Sequence, residues 1–421
     1  MSESFPLLPA ARYLLAHGAP PYMVAIFEAL RLDNPSVELL HALDVTDWER
    51  LLDWCDARQL TLMLPWLCDE ALPNDVRRRI DQCRVRYMER FSRLKRDLFE
   101  ITKALEQAGM ECVVLKGLTH SPVFVPDSLL RVQGDVDLWV RSFEIQQAQQ
   151  VLTTLGYRSF QTGGSRHLPP MVRPNEWKWR GDRFDPEMPV AVELHYQLWS
   201  EQTERMAVPG LDRFWQRSVL RSFDGHYVRA LCEEDLLGFA ALHLLSHLLH
   251  GDLPLQRAWE IANFLHKHAD DEPFWVAWQR VHSSELRTLE LIVFQIVRAW
   301  FGCTLSQLVQ NESETLSGNI RAWLRMFPFS PLIGQFHPNK DELWLHLALV
   351  SPLNRARILL QRLFPLQIPG FVDELSNHRG LKTFQRIIRQ RKLIASRAVH
   401  HIRTAIPVIS RGTRWLLLRK S

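Results

Sequence analysis

The sequence predicts an α+β protein, with a small mixed sheet and its helices flanked by N-terminal and C-terminal helical regions. Three observations carry that prediction. Residues 1 to about 109, and again those from Glu233 onward, place apolar side chains every three or four positions, the period of a helix face. Between them lie short runs rich in β-branched residues and ended by turn residues: Met110–Gly117, Gly134–Val140, Tyr157–Gln161 and Val190–Tyr196. A helical pattern between the second and third runs gives a β-α-β order, which builds a compact sheet of about 100 residues. The expected divisions are an N-terminal helical region (1–95), an α/β core (96–225), a helical domain (226–330) and a Pro-interrupted, basic helical tail (331–421).

Taken in order, Thr46–Cys55 opens with an Asp or Thr suited to cap a helix, followed by apolar residues at spacings of three and four. A long helix is expected from near Asp75 to Gln107. Its stripe is Tyr87, Phe91, Leu94, Leu98, Ile101 and Leu105, and Gly109 is a natural stop. Leu118–Phe124 reads as a short helix or loop. Ser142 is placed to cap a helix running to Gly156. Ser165–Pro189 holds five prolines, too many for a long helix, although Glu176–Arg180 alternates like a strand. Val190–Tyr196 is the last clear strand. Helices are then expected over 235–249, 255–267, 272–282, 286–301 and 316–326. Pro328, Pro331, Pro338 and Pro352 suggest a linker-like stretch before the tail.

Composition narrows the class. With 46% hydrophobic and 23% charged residues over 421 positions, the chain suits a globular protein of two or three domains. No stretch approaches the roughly 18 to 20 consecutive apolar residues that span a bilayer. Met1-Ser-Glu-Ser-Phe-Pro has no basic segment before an apolar one, so a cytoplasmic location is expected. The six cysteines form no C-x-x-C pair, which argues against a disulfide framework and a zinc–thiolate site. Charge is uneven: Arg379–Ser421 holds twelve Lys or Arg and no acid, leaving the rest of the chain acidic by eight.

The stretch with most chemistry in it is Arg131-Val-Gln-Gly-Asp135-Val-Asp137-Leu-Trp-Val140. Two carboxylates separated by one apolar residue project from the same face of a strand, because side chains alternate with a period of two. That arrangement suits a divalent metal. An isolated D-x-D is more often a solvated strand face, but here Val113-Val-Leu-Lys116-Gly117 precedes it and Val190-Ala-Val-Glu193-Leu-His195 follows.

Taken together, Lys116-Gly117, Asp135-Val-Asp137 and Glu193-Leu-His195 resemble the uncharacterised nucleotidyltransferase family of the DNA polymerase beta-like nucleotidyltransferase superfamily. The likeness covers roughly residues 40 to 330. It implies transfer of a nucleoside monophosphate from an NTP substrate, ATP among them, to a small molecule, a sugar phosphate or a protein. Two Mg²⁺ (or Mn²⁺) ions about 3.5 to 4 Å apart can clamp the attacking and leaving oxygens of such a reaction. By the same resemblance Asp135 and Asp137 would hold both metals, and Glu193 would complete one site or take the acceptor proton. The superfamily's Gly-Ser turn is missing, since Leu118 follows Gly117, and the gap from Gly117 to Asp135 is longer than usual. A catalytically inactive binding or scaffold protein on the same fold is the alternative that this departure supports.

Lys116 and Arg131, with the backbone N–H groups after Gly117, are the candidates to hold the triphosphate. Equally, Lys116 could be a solvated strand end and Arg131 a structural partner of an acid. His195 could reach the acceptor or a phosphate, or orient Glu193. His243, His247 and His250 share a helix face, where packed or hydrogen-bonded histidines are favoured over zinc ligands. Trp177, Trp179 and Trp199 are read as core before base-stacking residues. In the tail, Phe384, Ile387, Ile388, Ile394, Ala395, Ala398 and Ile402 form an apolar stripe with arginines largely elsewhere. Such a helix suits an anionic membrane surface, an acidic partner or a polyanionic substrate, or else packs on the protein with its basic face in solvent. No sequence-specific nucleic-acid partner is expected.

Overall fold

The computed structural model describes residues 9–160, 165–334, 336–337, 339–363 and 406–417, with 391–392, 395–396 and 399. It divides into two compact units, one drawn from Met1–Ile80, Ala240–Arg355 and His400–Ser421, the other from Asp81–Phe239 and Ala356–Val399. Among the described residues no helix is long and apolar enough to cross a membrane. The six cysteines are unpaired, as their spacing predicts.

The second unit carries a seven-stranded mixed sheet. Its strands are β1 (Val113–Val114), β2 (Asp135–Trp139), β3 (Arg158–Ser159), β4 (Met171–Val172), β5 (Ala191–His195), β6 (Val219–Phe223) and β7 (His226–Ala230), in the order β3-β4-β5-β2-β1-β7-β6. The longest pairing at its centre is β2 with β5, parallel and in register from Asp135 opposite Ala191 to Trp139 opposite His195. Alternation explains why these two strands stay central. Val136 and Leu138 on β2, and Val192 and Leu194 on β5, are essentially fully buried on one face, so the acids fall on the other.

The long helix Asn74–Gln107 supplies the cover, and the predicted stripe from Tyr87 to Leu105 is buried. Two of its side chains also anchor the strand starts. Tyr87 donates its hydroxyl hydrogen to the Arg131 carbonyl (2.6 Å) and accepts from the Gln133 N–H (2.8 Å). Arg90, 1% exposed, donates to the carbonyls of Gly134 (3.1 Å) and Met188 (2.6 Å), tying the approach to β2 to the approach to β5.

Several local expectations give way to tertiary structure. The first strand is only two residues long, and the third is Arg158–Ser159. Glu176–Arg180 forms no strand, because Trp177 turns inward to donate to Asp185 (2.8 Å) and packs on Trp179; β4 at Met171–Val172 pairs with β5 instead. Ser142 caps nothing: the helix runs over Ile145–Thr154 with Glu144 before it. The first capped helix of the chain starts earlier than read, at Val45, with Asp44 accepting from the Asp47 N–H.

The β6–β7 hairpin was not foreseen, and it spans residue 225. Asp224 and Gly225 both take positive φ (50° and 78°), the conformation that a two-residue hairpin turn demands. β7 pairs parallel with β1, and Arg221 of β6 donates to the Thr119 carbonyl (3.0 Å), bracing the short helical turn Gly117–His120.

The first unit is helical. Trp259, Trp275, Trp278, Trp300 and Trp323 are all essentially fully buried in it. The proline-rich stretch is not a linker there, since Pro331 and Pro352 stand in the first turns of helices Ser330–Ile333 and Pro352–Leu363, where a missing N–H costs nothing. The basic amphipathic stretch from 381 to 402 lies largely outside the described residues. Residues 406–417 are helical and packed on the unit: Arg411 pairs with Asp341 (2.7 Å), Trp415 donates to the Asn319 carbonyl (3.2 Å), and a Cβ on Gly412 would collide with the Trp344 ring.

Candidate active site

Because β2 and β5 run parallel in register, Asp137 stands directly opposite Glu193, and Trp139 opposite His195. Side-chain alternation then brings Asp135, Asp137, Glu193 and His195 to one face of the sheet. Asp137 is fully buried. Glu193 and Asp135 keep 21% and 32% of their side-chain surface, so the cluster has one wet edge. His195 donates from Nε2 to Asp137 Oδ1 (2.9 Å) and lies 3.6 Å from Glu193 Oε2. Ligand atoms of Asp137, Glu193 and His195 all fall within 4.8 Å of one another.

Lys116 completes the charge arrangement. Its ammonium lies 3.0 Å from Asp137 Oδ2 and 3.5 Å from Asp135 Oδ2, so it is the buried counter-ion of both aspartates and not a solvated strand end. It is placed there by Gly117, whose φ of +76° turns the chain out of the sheet. A side chain at 117 would also meet the Gln133 amide at about 2.2 Å, and that amide donates to the Asp135 carbonyl (2.6 Å). Gly117 thus makes room for the residue that steadies the start of β2. Arg131 is buried where its carbonyl accepts from Tyr87.

Burial and charge compete throughout. Burial opposes ionisation of Glu193, but the hydrogen bond from His195 and the charges of Lys116 and His167 win, holding its carboxyl down at about 2. Asp137 is lowered in the same way, with burial outweighed by Lys116 and His195. Burial disfavours the imidazolium of His195, yet the bonds to Asp137 and Glu193 raise its pKa above the ordinary histidine range. The carboxyls of Asp137 and Glu193 are therefore ionised at neutral pH.

One contributor escaped the sequence reading. His167 lies in the Pro-rich segment, pairs its backbone with His195 through a β-bridge, and puts Nε2 3.8 Å from Glu193 Oε2. Only long-range pairing brings it there, so no local spacing signals it. The histidines at 243, 247 and 250 are otherwise engaged. Arg257 donates to His243 Nδ1 (3.2 Å) and His247 Nε2 (2.9 Å), His247 Nδ1 donates to Asp252 (2.7 Å), and His250 Nδ1 to the Ser246 carbonyl (2.7 Å). A guanidinium only donates, so it occupies the lone pairs that a zinc ion would need. Trp177 is core, as read, whereas Trp199, also buried, lines a small pocket with Trp139 and Tyr196 just past the ends of β2 and β5.

Carboxylates face one another across parallel strands of a small mixed sheet, beside a lysine set by a glycine turn, and form a compact cluster of acids and cations on one face. The chain belongs to the uncharacterised nucleotidyltransferase family, whose model matches residues 44–302, more than half its length. Comparison with curated proteins and with solved structures found no match.

Proposed function

We propose that this protein transfers a nucleoside monophosphate from an NTP to a small-molecule, sugar-phosphate or protein acceptor in a reaction that depends on a divalent metal. The observation that carries the proposal is the in-register opposition of Asp137 and Glu193, with Asp135 and His195 on the same face. The donor set suits a metal: three carboxylates share one face, and Asp137 Oδ2 accepts no hydrogen bond and lies 3.0 Å from the Lys116 ammonium. Asp137, Glu193 and Asp135 would hold the ion, which when bound neutralises charge on the transferring phosphate.

The chain's own groups supply the rest. Lys116, already poised at the aspartates, turns toward a bound triphosphate once its counter-ion role is relieved. Glu193, ionised and at the wet edge, either completes the metal site or accepts the acceptor's proton, and His195 orients it. Arg131 and the N–H groups after Gly117 would add donors to the phosphates. Incubation with each radiolabelled NTP and Mg²⁺ or Mn²⁺ in cell extract tests this: label should appear on a protein or metabolite in the wild type and not in Glu193→Gln. Label found only in hydrolysed nucleotide would count against transfer.

One observation favours the second reading, a binding or scaffold protein. Lys116 bridges Asp135 and Asp137 as an internal counter-ion, which is how a site with no need of metal would neutralise itself. Calorimetry of NTP with Mg²⁺ or Mn²⁺ into wild type and Asp135→Asn/Asp137→Asn separates the two, because a scaffold gives the same heats in both.

A further inference from the structure

We propose that the helix over residues 406–417 is a membrane-surface anchor, whose outward apolar stripe enters the headgroup layer of an anionic lipid bilayer while the basic residues around it meet the phosphates. The proposal stands apart from the nucleotide reading and uses only the helical unit. This helix has two seams where a surface helix needs one. The inner seam is Val408, Arg411, Gly412 and Trp415, at the spacings of three and four that make one helix face. It packs on the unit, with Arg411 on Asp341, Gly412 against the Trp344 ring and Trp415 on the Asn319 carbonyl.

The other side should then be polar. Instead Ile406 (80% exposed), Ile409 (66%), Leu416 (38%) and Leu417 (68%) stand in solvent. At 3.6 residues per turn these four fall within one arc of about 100°, with Thr413 among them and Ser410 and Arg414 at its edge. A single exposed leucine is ordinary, but four large aliphatic side chains gathered on one face of a short helix mark a contact surface.

Charge and side-chain type identify what covers it. Arg411 and Arg414 are on the helix, Arg403 precedes it, and Arg419 and Lys420 follow it in the sequence; from Arg379 to Ser421 the twelve charged side chains are all Lys or Arg. A second copy of the same surface would bring like charges together. Protein partners are held mainly by tryptophan, tyrosine and arginine at the centre of a patch, whereas here the one tryptophan is turned inward and the large outward side chains are isoleucine and leucine. An anionic bilayer offers both complements in one plane: acyl chains for the stripe and phosphates for the guanidinium groups beside it. The helix is too short to cross, which takes roughly 20 residues, and so lies in that plane.

Sedimentation of the full chain with lipid vesicles, in the absence of nucleotide and metal, is the test. Wild type should pellet with vesicles of phosphatidylcholine and phosphatidylserine at roughly 3:1, and should bind pure phosphatidylcholine at least about tenfold more weakly. Ile409→Ser/Leu417→Ser, which leaves the charge untouched, should weaken binding to the anionic vesicles by about tenfold or more. Its thermal melt should match the wild type, because both side chains stand in solvent. Wild type left in the supernatant overturns the proposal, as does equal binding by the serine variant, which would mean that the charge of the tail acts alone. A variant that melts well below the wild type or fails to fold would show the stripe covered within the protein. A wild type that sediments as a dimer beside a monomeric variant would put a second copy on this face. Either result also overturns the anchor.

Discussion

Among the described residues each unit buries a histidine–carboxylate pair, and the two are built differently. In the helical unit Glu290 and His282 are both fully buried; Glu290 accepts from His282 Nδ1 (3.0 Å) and from the Trp278 indole (2.9 Å). One acid meets two donors, inside a shell of tryptophan and phenylalanine. At the sheet, His195 and Lys116 meet three acids, and two of those acids reach solvent. A buried contact between histidine and carboxylate is common to both and says little about function. What marks the sheet cluster is its three acids gathered at an edge that reaches solvent.

The sharpest way to break that comparison is to remove one acid from each pair. Glu290→Ala removes the acceptor that His282 and Trp278 share in an apolar core, and should cost about 3–5 kcal/mol of stability in urea unfolding while leaving any nucleotide chemistry alone. Glu193→Gln should do the opposite, lowering turnover by about 10²–10⁴-fold with little change in the unfolding midpoint. Should Glu193→Gln unfold the protein instead, the cluster is structural and the contrast fails.

A smaller effect is expected at the turn that delivers Lys116. Gly117→Ala forces a side chain into positive φ and onto the Gln133 amide, and should destabilise by roughly 1–3 kcal/mol. Tyr87→Phe removes the hydroxyl that bridges the buried Gln133 N–H and the Arg131 carbonyl, about 1–3 kcal/mol. Thermal melts of both variants, read with the Mn²⁺ affinity of each, test whether the scaffold under β2 is coupled to the cluster.

How much of this was legible depended on the range of the interaction. The long helix, the Asp-Val-Asp strand and the Glu-Leu-His strand follow from apolar periodicity within ten or so residues, and all three stand where the sequence puts them. That Asp137 would face Glu193 did not follow from periodicity, because register between strands 56 residues apart is settled by packing; the resemblance supplied it. The hairpin had a local signal, Asp224-Gly225 between apolar residues, that went unread. His167 had none. Arg90 stood beside a recognised apolar stripe as an apparently solvated helix residue, and only the approach of two strand starts makes it a buried clamp.

The smallest and most diagnostic effect is the pH dependence of stability, for which the sheet cluster supplies two opposite limbs. Glu193 is held at about 2 in the folded chain against an ordinary 4.5, so its contribution is complete above about 4.5 and fades as pH falls toward 2. His195 is raised above its ordinary 6.5, so its contribution is complete below 6.5 and fades as pH climbs through the raised value. Urea unfolding of the metal-depleted wild type and of Glu193→Gln should therefore converge as pH falls from 4.5 toward 2, whereas wild type and His195→Gln should converge above 6.5. A His195→Gln difference that grows above 6.5 would mean the imidazole is buried neutral, and the cluster would then lack the second positive charge that sets it against its three acids.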